Sequence, residues 1–182
     1  MKSMNWFYLA LVTVACWGLY GIFLHAGQVA MADKELARYK AFLFVGIAYF
    51  LVAVLAPLAI LLTSKGMNWN MPPKGMWISL FAGVLGAIGA FFVLLAMGSG
   101  AKAGMNPGVV AISVMSIVFA GAPIVNAIVG IAMHPPKGGL AAIPLPFILG
   151  IVLAAAGGFM VTKFKPAPAP EPPKVASSPE KP

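Results

Sequence analysis

The chain has 182 residues, of which 61% are hydrophobic and only 9% charged, with a formal net charge of +8 and a single cysteine. A soluble domain could not hide so much apolar surface, because its exterior must face water. The basic excess does not point to nucleic acid either, since the cations flank apolar stretches and no stacking aromatics interleave them.

Five apolar stretches carry no Asp, Glu, Lys or Arg: Asn5 to Gly27, Ala41 to Thr63, Met76 to Gly98, Pro107 to Met133 and Ile143 to Thr162. Each approaches or exceeds the roughly 20 residues that a helix needs to cross a hydrocarbon core. A charge at mid-span costs about 2.5–3.5 kcal/mol on insertion scales, which is why the charges collect in the gaps. The fold class expected is an all-α integral membrane protein with five transmembrane helices.

The first stretch contains Cys16, Trp17 and Tyr20. A cleaved signal peptide is the competing reading, given Lys2 and the small-x-small run Ala30-Met31-Ala32. The apolar run from Trp6 to Leu24 exceeds the usual signal core of about 7–15 residues, so a retained helix is preferred. Cys16 has no partner for an internal disulfide and is expected as a small buried apolar residue.

The second stretch carries Tyr49, with Pro57 near its end. The connection from Lys65 to Gly75 reads as an interfacial turn anchored by Trp69 and Trp77. The third stretch places Gly83, Gly86 and Gly89 on one helical face, where neighbouring backbones can approach closely. Packing within the chain is the expectation there. Gly98-Ser99-Gly100-Ala101-Lys102-Ala103 has a dinucleotide-like spacing of glycines, but an apolar helix precedes it rather than a strand, so it reads as a flexible turn. The link from Ser99 to Asn106 forces the third and fourth spans into an antiparallel pair.

The fourth stretch starts at Asn106-Pro107, where proline is well tolerated, and contains Pro123, which should kink or loosen it near Phe119. It also holds Ser113, Ser116 and Asn126. Asn126 is the hardest of these to leave unpaired in lipid, so it should face protein or a cavity. In the fifth stretch Gly150, Ala154 and Gly158 recur every four residues, as packing against a neighbouring span or as a dimer seam. From Pro166 the run Pro-Ala-Pro-Ala-Pro-Glu-Pro-Pro should form an extended polyproline II tail, so residues 1–165 make the membrane domain and 166–182 a Pro-rich tail.

Lys2, Lys65, Lys74 and Lys137 fall on one side of a five-span topology, and Lys34, Arg38, Lys40, Lys102, Lys163 and Lys165 on the other. The positive-inside rule then gives N-out, C-in. His25 and His134 lie near span ends without a carboxylate companion, so interfacial histidines are expected rather than a metal pair. No catalytic set can be assembled from in-span residues, and neither an enzyme nor a bound cofactor is expected. Trp17, Tyr20, Tyr49, Ser113, Ser116 and Asn126 are the candidate lining of a midplane cavity.

Trp17-Gly18, Arg38, the Gly-rich third helix ending in Leu95-Ala96-Met97-Gly98, Ala122-Pro123, and Phe147-Ile148-Leu149-Gly150 with Gly157-Gly158 together resemble one half of a drug/metabolite transporter of the EamA-like type. The resemblance is best from Ile78 to Val161. It implies half of an inverted-repeat fold in a plasma membrane such as the bacterial inner membrane, completed by dimerisation. It also implies transport of a small organic metabolite by alternating access, with Pro123, Gly83, Gly86 and Gly89 permitting the movement. One departure is that Ala132-Met133-His134-Pro135 stands where the family commonly has Gly-Glu. The alternative is an accessory subunit of a larger membrane complex. A carrier of this kind would have no proton-coupling carboxylate at membrane depth.

Overall fold

A computed structural model describes residues 6–33 and 35–165. The Pro-rich tail lies outside the described residues, as do Lys2 and Lys34. Five long helices make up the rest: α1 (Trp6–Ala30), α2 (Ala37–Thr63), α3 (Pro73–Lys102), α4 (Pro107–Met133) and α5 (Leu145–Lys163). All five are long and apolar enough to cross a membrane, which fits an integral membrane protein.

The helices outrun the charge-free stretches. Arg38, Lys40, Lys74 and Lys102 are all helical. Their aliphatic stems can lie along apolar surface while the charged ends reach the interface, so the backbone ladder need not stop where the charges begin. Residues 98–102, expected as a turn, therefore belong to the last turns of α3, and only residues 103–106 connect it to α4. Gly104 occupies the left-handed region at φ +78 in that connection, and Asn106 Oδ1 accepts the Gly108 N–H at 3.0 Å to cap α4.

The irregular turn is not where Pro123 would place it, because α4 runs unbroken as α-helix through that residue. It lies in α2, where Leu51–Leu55 form a π turn and the Ala56 N–H donates to the Leu51 carbonyl. Pro57 follows directly and offers no N–H to the carbonyl four residues before it. Widening the ladder by one residue accommodates the ring without ending the helix.

Packing is concentrated at one end. Leu24 of α1, Val93, Leu94 and Met97 of α3, and Val110, Ala111 and Met115 of α4 form the buried cluster. All come from the end where α1 and α3 finish and α2 and α4 begin, which is also the end carrying Arg38, Lys40, Lys102, Lys163 and Lys165. We call it the basic end. Small residues let the backbones meet there. A Cβ on Gly100 would lie 2.8 Å from a Val110 methyl, and one on Gly21 would lie 2.5 Å from Met115 Cγ.

Toward the other end the helices part. Every residue from Trp6 to Leu19 in α1 and from Pro73 to Gly89 in α3 is exposed. A Cβ on Gly83, Gly86 or Gly89 would meet nothing within 4 Å among the described residues, so the expected packing of this glycine face is not present among them. Cys16 is likewise exposed rather than buried. The cause is common to all of them: they lie beyond the point where α1 and α3 leave the cluster.

Helix α5 packs on α4 alone. Gly158 sits directly against Ala120, and a Cβ there would also crowd the Ser116 carbonyl at 3.4 Å. Gly150, two turns back toward the far end, meets nothing. The pair stays together toward the far end, where Pro123, Ile124 and Ala127 of α4 face Phe147, Gly150 and Ile151 of α5.

At the basic end the α1–α2 connection is built on Asp33. Its Oδ1 accepts the Glu35 and Leu36 N–H groups at 3.0 and 2.9 Å, and its Oδ2 pairs with Lys40 Nζ at 2.6 Å. The Leu36 N–H foremost, then Lys40 and the Glu35 N–H, hold this carboxyl down at about 2. A depressed carboxyl stabilises the fold above its ordinary value and loses that contribution as pH falls through the folded value. Carboxyl-carbon NMR in detergent should therefore find Asp33 titrating near 2, and Lys40→Met should raise its midpoint.

The tight α3–α4 approach yields a second expectation. Gly100→Val should lower stability by about 1–3 kcal/mol, because its side chain must displace Val110 from a packed seam. Gly46→Ala, where a Cβ meets nothing, should change little. Chemical or thermal unfolding followed by circular dichroism in detergent compares the two.

Candidate functional site

The six side chains expected to line one cavity are distributed over several surfaces. Tyr20 and Tyr49 do come together, on an open-sided groove of about 510 Å³ between α1 and α2. Phe23, Phe44 and Val45 make its walls apolar. The Tyr20 hydroxyl is buried and has no hydrogen-bond partner, and the Trp17 ring packs beside the Tyr20 ring at 5.6 Å between centroids. This groove can hold an apolar body.

The other residues lie elsewhere. Ser116 borders a separate cleft between α1 and α4, beside Gly18 and Phe119. Ser113 is buried, donates to the Val109 carbonyl at 2.8 Å and accepts from Lys165 Nζ at 2.8 Å. Its hydroxyl is thus engaged in tying the end of α5 to α4. Asn126 is exposed on the far half of α4. The expectation that it faces protein or a cavity is not met among the described residues, because α5 lies against the Ile124 and Ala127 side of α4 and leaves Asn126 outside that contact. Pro123 and Gly150 share a shallow apolar groove between α4 and α5.

A second cavity, of about 270 Å³, lies at the basic end between α1, the start of α2 and the end of α3. His25 and Gln28 reach it from α1, Arg38 from α2 and Lys102 from α3, with Glu35 contributed by the α1–α2 connection. Gln28 is only 8% exposed, and its amide nitrogen has no acceptor. Both ring nitrogens of His25 are also buried and unpartnered. The Arg38 guanidinium lies across α3 at Gly98, where an added Cβ would stand 3.2 Å from Nη1. Gly98 therefore makes the room that this side chain occupies.

Sequence reasoning placed His25 at an interface and gave Gln28 no role. The available signal was their spacing: three residues apart on a helix, they share a face one turn from the end of a span. What the sequence could not supply was the partner face, which is set by how α2 and α3 pack against α1.

No protein-family model, curated protein or solved structure matches this chain.

Proposed function

We propose that the chain is one half of a dimeric membrane carrier for a small, neutral organic solute, oriented N-out and C-in. The observation that carries this reading is the asymmetry of packing: α1, α3 and α4 meet around Leu94 and Met97 at the basic end, whereas the far halves of α1 and α3 are exposed throughout. A carrier of the alternating-access type closes one end of its helix set while the other stands open. With the basic end inside, the open end faces outward.

Two further features favour a second copy. The Gly83, Gly86 and Gly89 face of α3 is free of any neighbour, although glycine in a membrane helix serves close backbone approach. Asn126 is exposed on an apolar helix, where an amide left in lipid is costly. Two copies joined across their far halves would cover both and would place two Tyr20–Tyr49 grooves in one assembly. No in-span carboxylate is available for proton coupling, so the expected mode is uniport or exchange in a plasma membrane such as the bacterial inner membrane.

The second reading, an accessory subunit of a larger complex, draws on a specific feature: the described grooves are open-sided, and the candidate polar residues do not converge. An unlike partner could close the far half as well as a second copy could.

Purification in mild detergent, followed by reconstitution into liposomes, separates the two readings. The carrier reading expects a homodimer that takes up at least one solute from a panel of amines, amino acids and nucleotide sugars. Gly86→Leu should abolish dimer and uptake together while leaving helix content unchanged. A stable hetero-complex with no uptake would support the accessory reading and overturn the carrier.

A further inference from the structure

We infer that the basic-end cavity between α1, α2 and α3 is a binding site for a phosphodiester oxyanion, independent of the carrier reading. The cavity holds donors in excess of acceptors. Arg38 brings a planar guanidinium, Lys102 an ammonium group, Gln28 an amide NH₂ and His25 an imidazole. The Gln28 amide nitrogen and both His25 ring nitrogens are buried with no hydrogen-bond partner among the described residues. Burying such groups unsatisfied is unfavourable, so their burial together favours an acceptor that satisfies several at once.

Among the described residues, protein groups do not fill that need. The one ion pair among the described residues is Lys40–Asp33, which leaves Arg38 and Lys102 without a carboxylate within salt-bridge distance. The charge of Arg38 also lies 5.3 Å from the centre of the Tyr39 ring, a contact that supplies no anionic acceptor.

The shape of the donor set selects the ligand. The donor-bearing residues come from three helices, a spread that suits the tetrahedral oxygens of phosphate better than the flat pair of a carboxylate. Charge then selects among phosphates. Glu35 stands at the same cavity and offsets one of the two cations, so Arg38, Lys102 and Glu35 together carry a single positive charge. A monoanionic diester matches that balance, and a dianionic monoester does not. The cavity also lies at the end of the spans, at the level where lipid headgroups sit. A phospholipid headgroup and a soluble phosphodiester share this chemistry.

The test uses the full chain in a phosphorus-free detergent. Phosphatidylglycerol and dimethyl phosphate are titrated separately while the Gln28 side-chain amide and the His25 ring resonances are followed by ¹⁵N NMR. Saturable shifts at one ligand per chain are expected. Shifts with phosphatidylglycerol alone identify a lipid headgroup, and shifts with dimethyl phosphate as well identify a site open to solutes. Arg38→Gln should weaken binding by about tenfold or more, the scale of a lost charge-assisted hydrogen bond. Lys102→Gln, at an exposed position, should weaken it less. Glu35→Gln should tighten it, a gain that a merely structural role for the cavity would not give. The inference fails if neither ligand moves the Gln28 amide. It fails equally if Arg38→Gln, Lys102→Gln and Glu35→Gln all bind as the wild type does.

Discussion

Close van der Waals contact at the basic end is the constraint on which the rest of this structure depends. In lipid there is little hydrophobic gain from bringing two apolar helices together, so association rests on how closely their surfaces can fit. Here the fit is made by residues without bulk. Gly21 admits Met115, Gly100 admits Val110, and Leu94 and Met97 fill the space between α1, α3 and α4 with no exposed surface left. Gly158 does the same for α5, whose contact with Ala120 fastens it to α4. Lys165 adds a polar tie to Ser113 at the same level.

Once that end is fixed, the far halves of α1 and α3 are left exposed. The Gly83, Gly86 and Gly89 face, Asn126 and the first turns of α1 are all uncovered by the described residues. The Tyr20–Tyr49 groove lies where α1 and α2 begin to diverge, which gives it apolar walls and an open side. The polar cavity has the opposite origin. It forms where the helices converge and trap His25, Gln28 and Arg38 before the chain reaches water. Closure at one end thus generates both sites, one lined by apolar side chains, the other by cationic and polar ones.

Much of the fold was legible in the sequence because one strong effect governs it. The cost of charge in hydrocarbon marks the spans, and the bounds of the fourth stretch coincide with α4. Helix ends elsewhere were missed, since Arg38, Lys74 and Lys102 can stay helical while their charges reach the interface. Proline chemistry was half legible: two in-span prolines were visible, but the π turn formed before Pro57 while α4 carried Pro123 as regular helix. The site was the least legible part. Tyr20 and Tyr49 do meet, whereas Ser113 is taken up by Lys165 and Asn126 is turned outward. Which helical faces meet depends on contacts between distant residues, and periodicity within a span does not encode them.

The most direct measurement of the central claim is a pair of distances in the membrane. Spin labels on α1 and α3 would be placed at Val29 and Ala101 near the basic end, and at Leu9 and Leu80 toward the other. Electron–electron double resonance in lipid nanodiscs, under conditions where the chain is a single copy, would then read both separations. The account predicts a short, narrow distribution for the first pair and a longer, broader one for the second. Equal, narrow distributions at both ends would contradict it, because the helices would then be packed along their whole length.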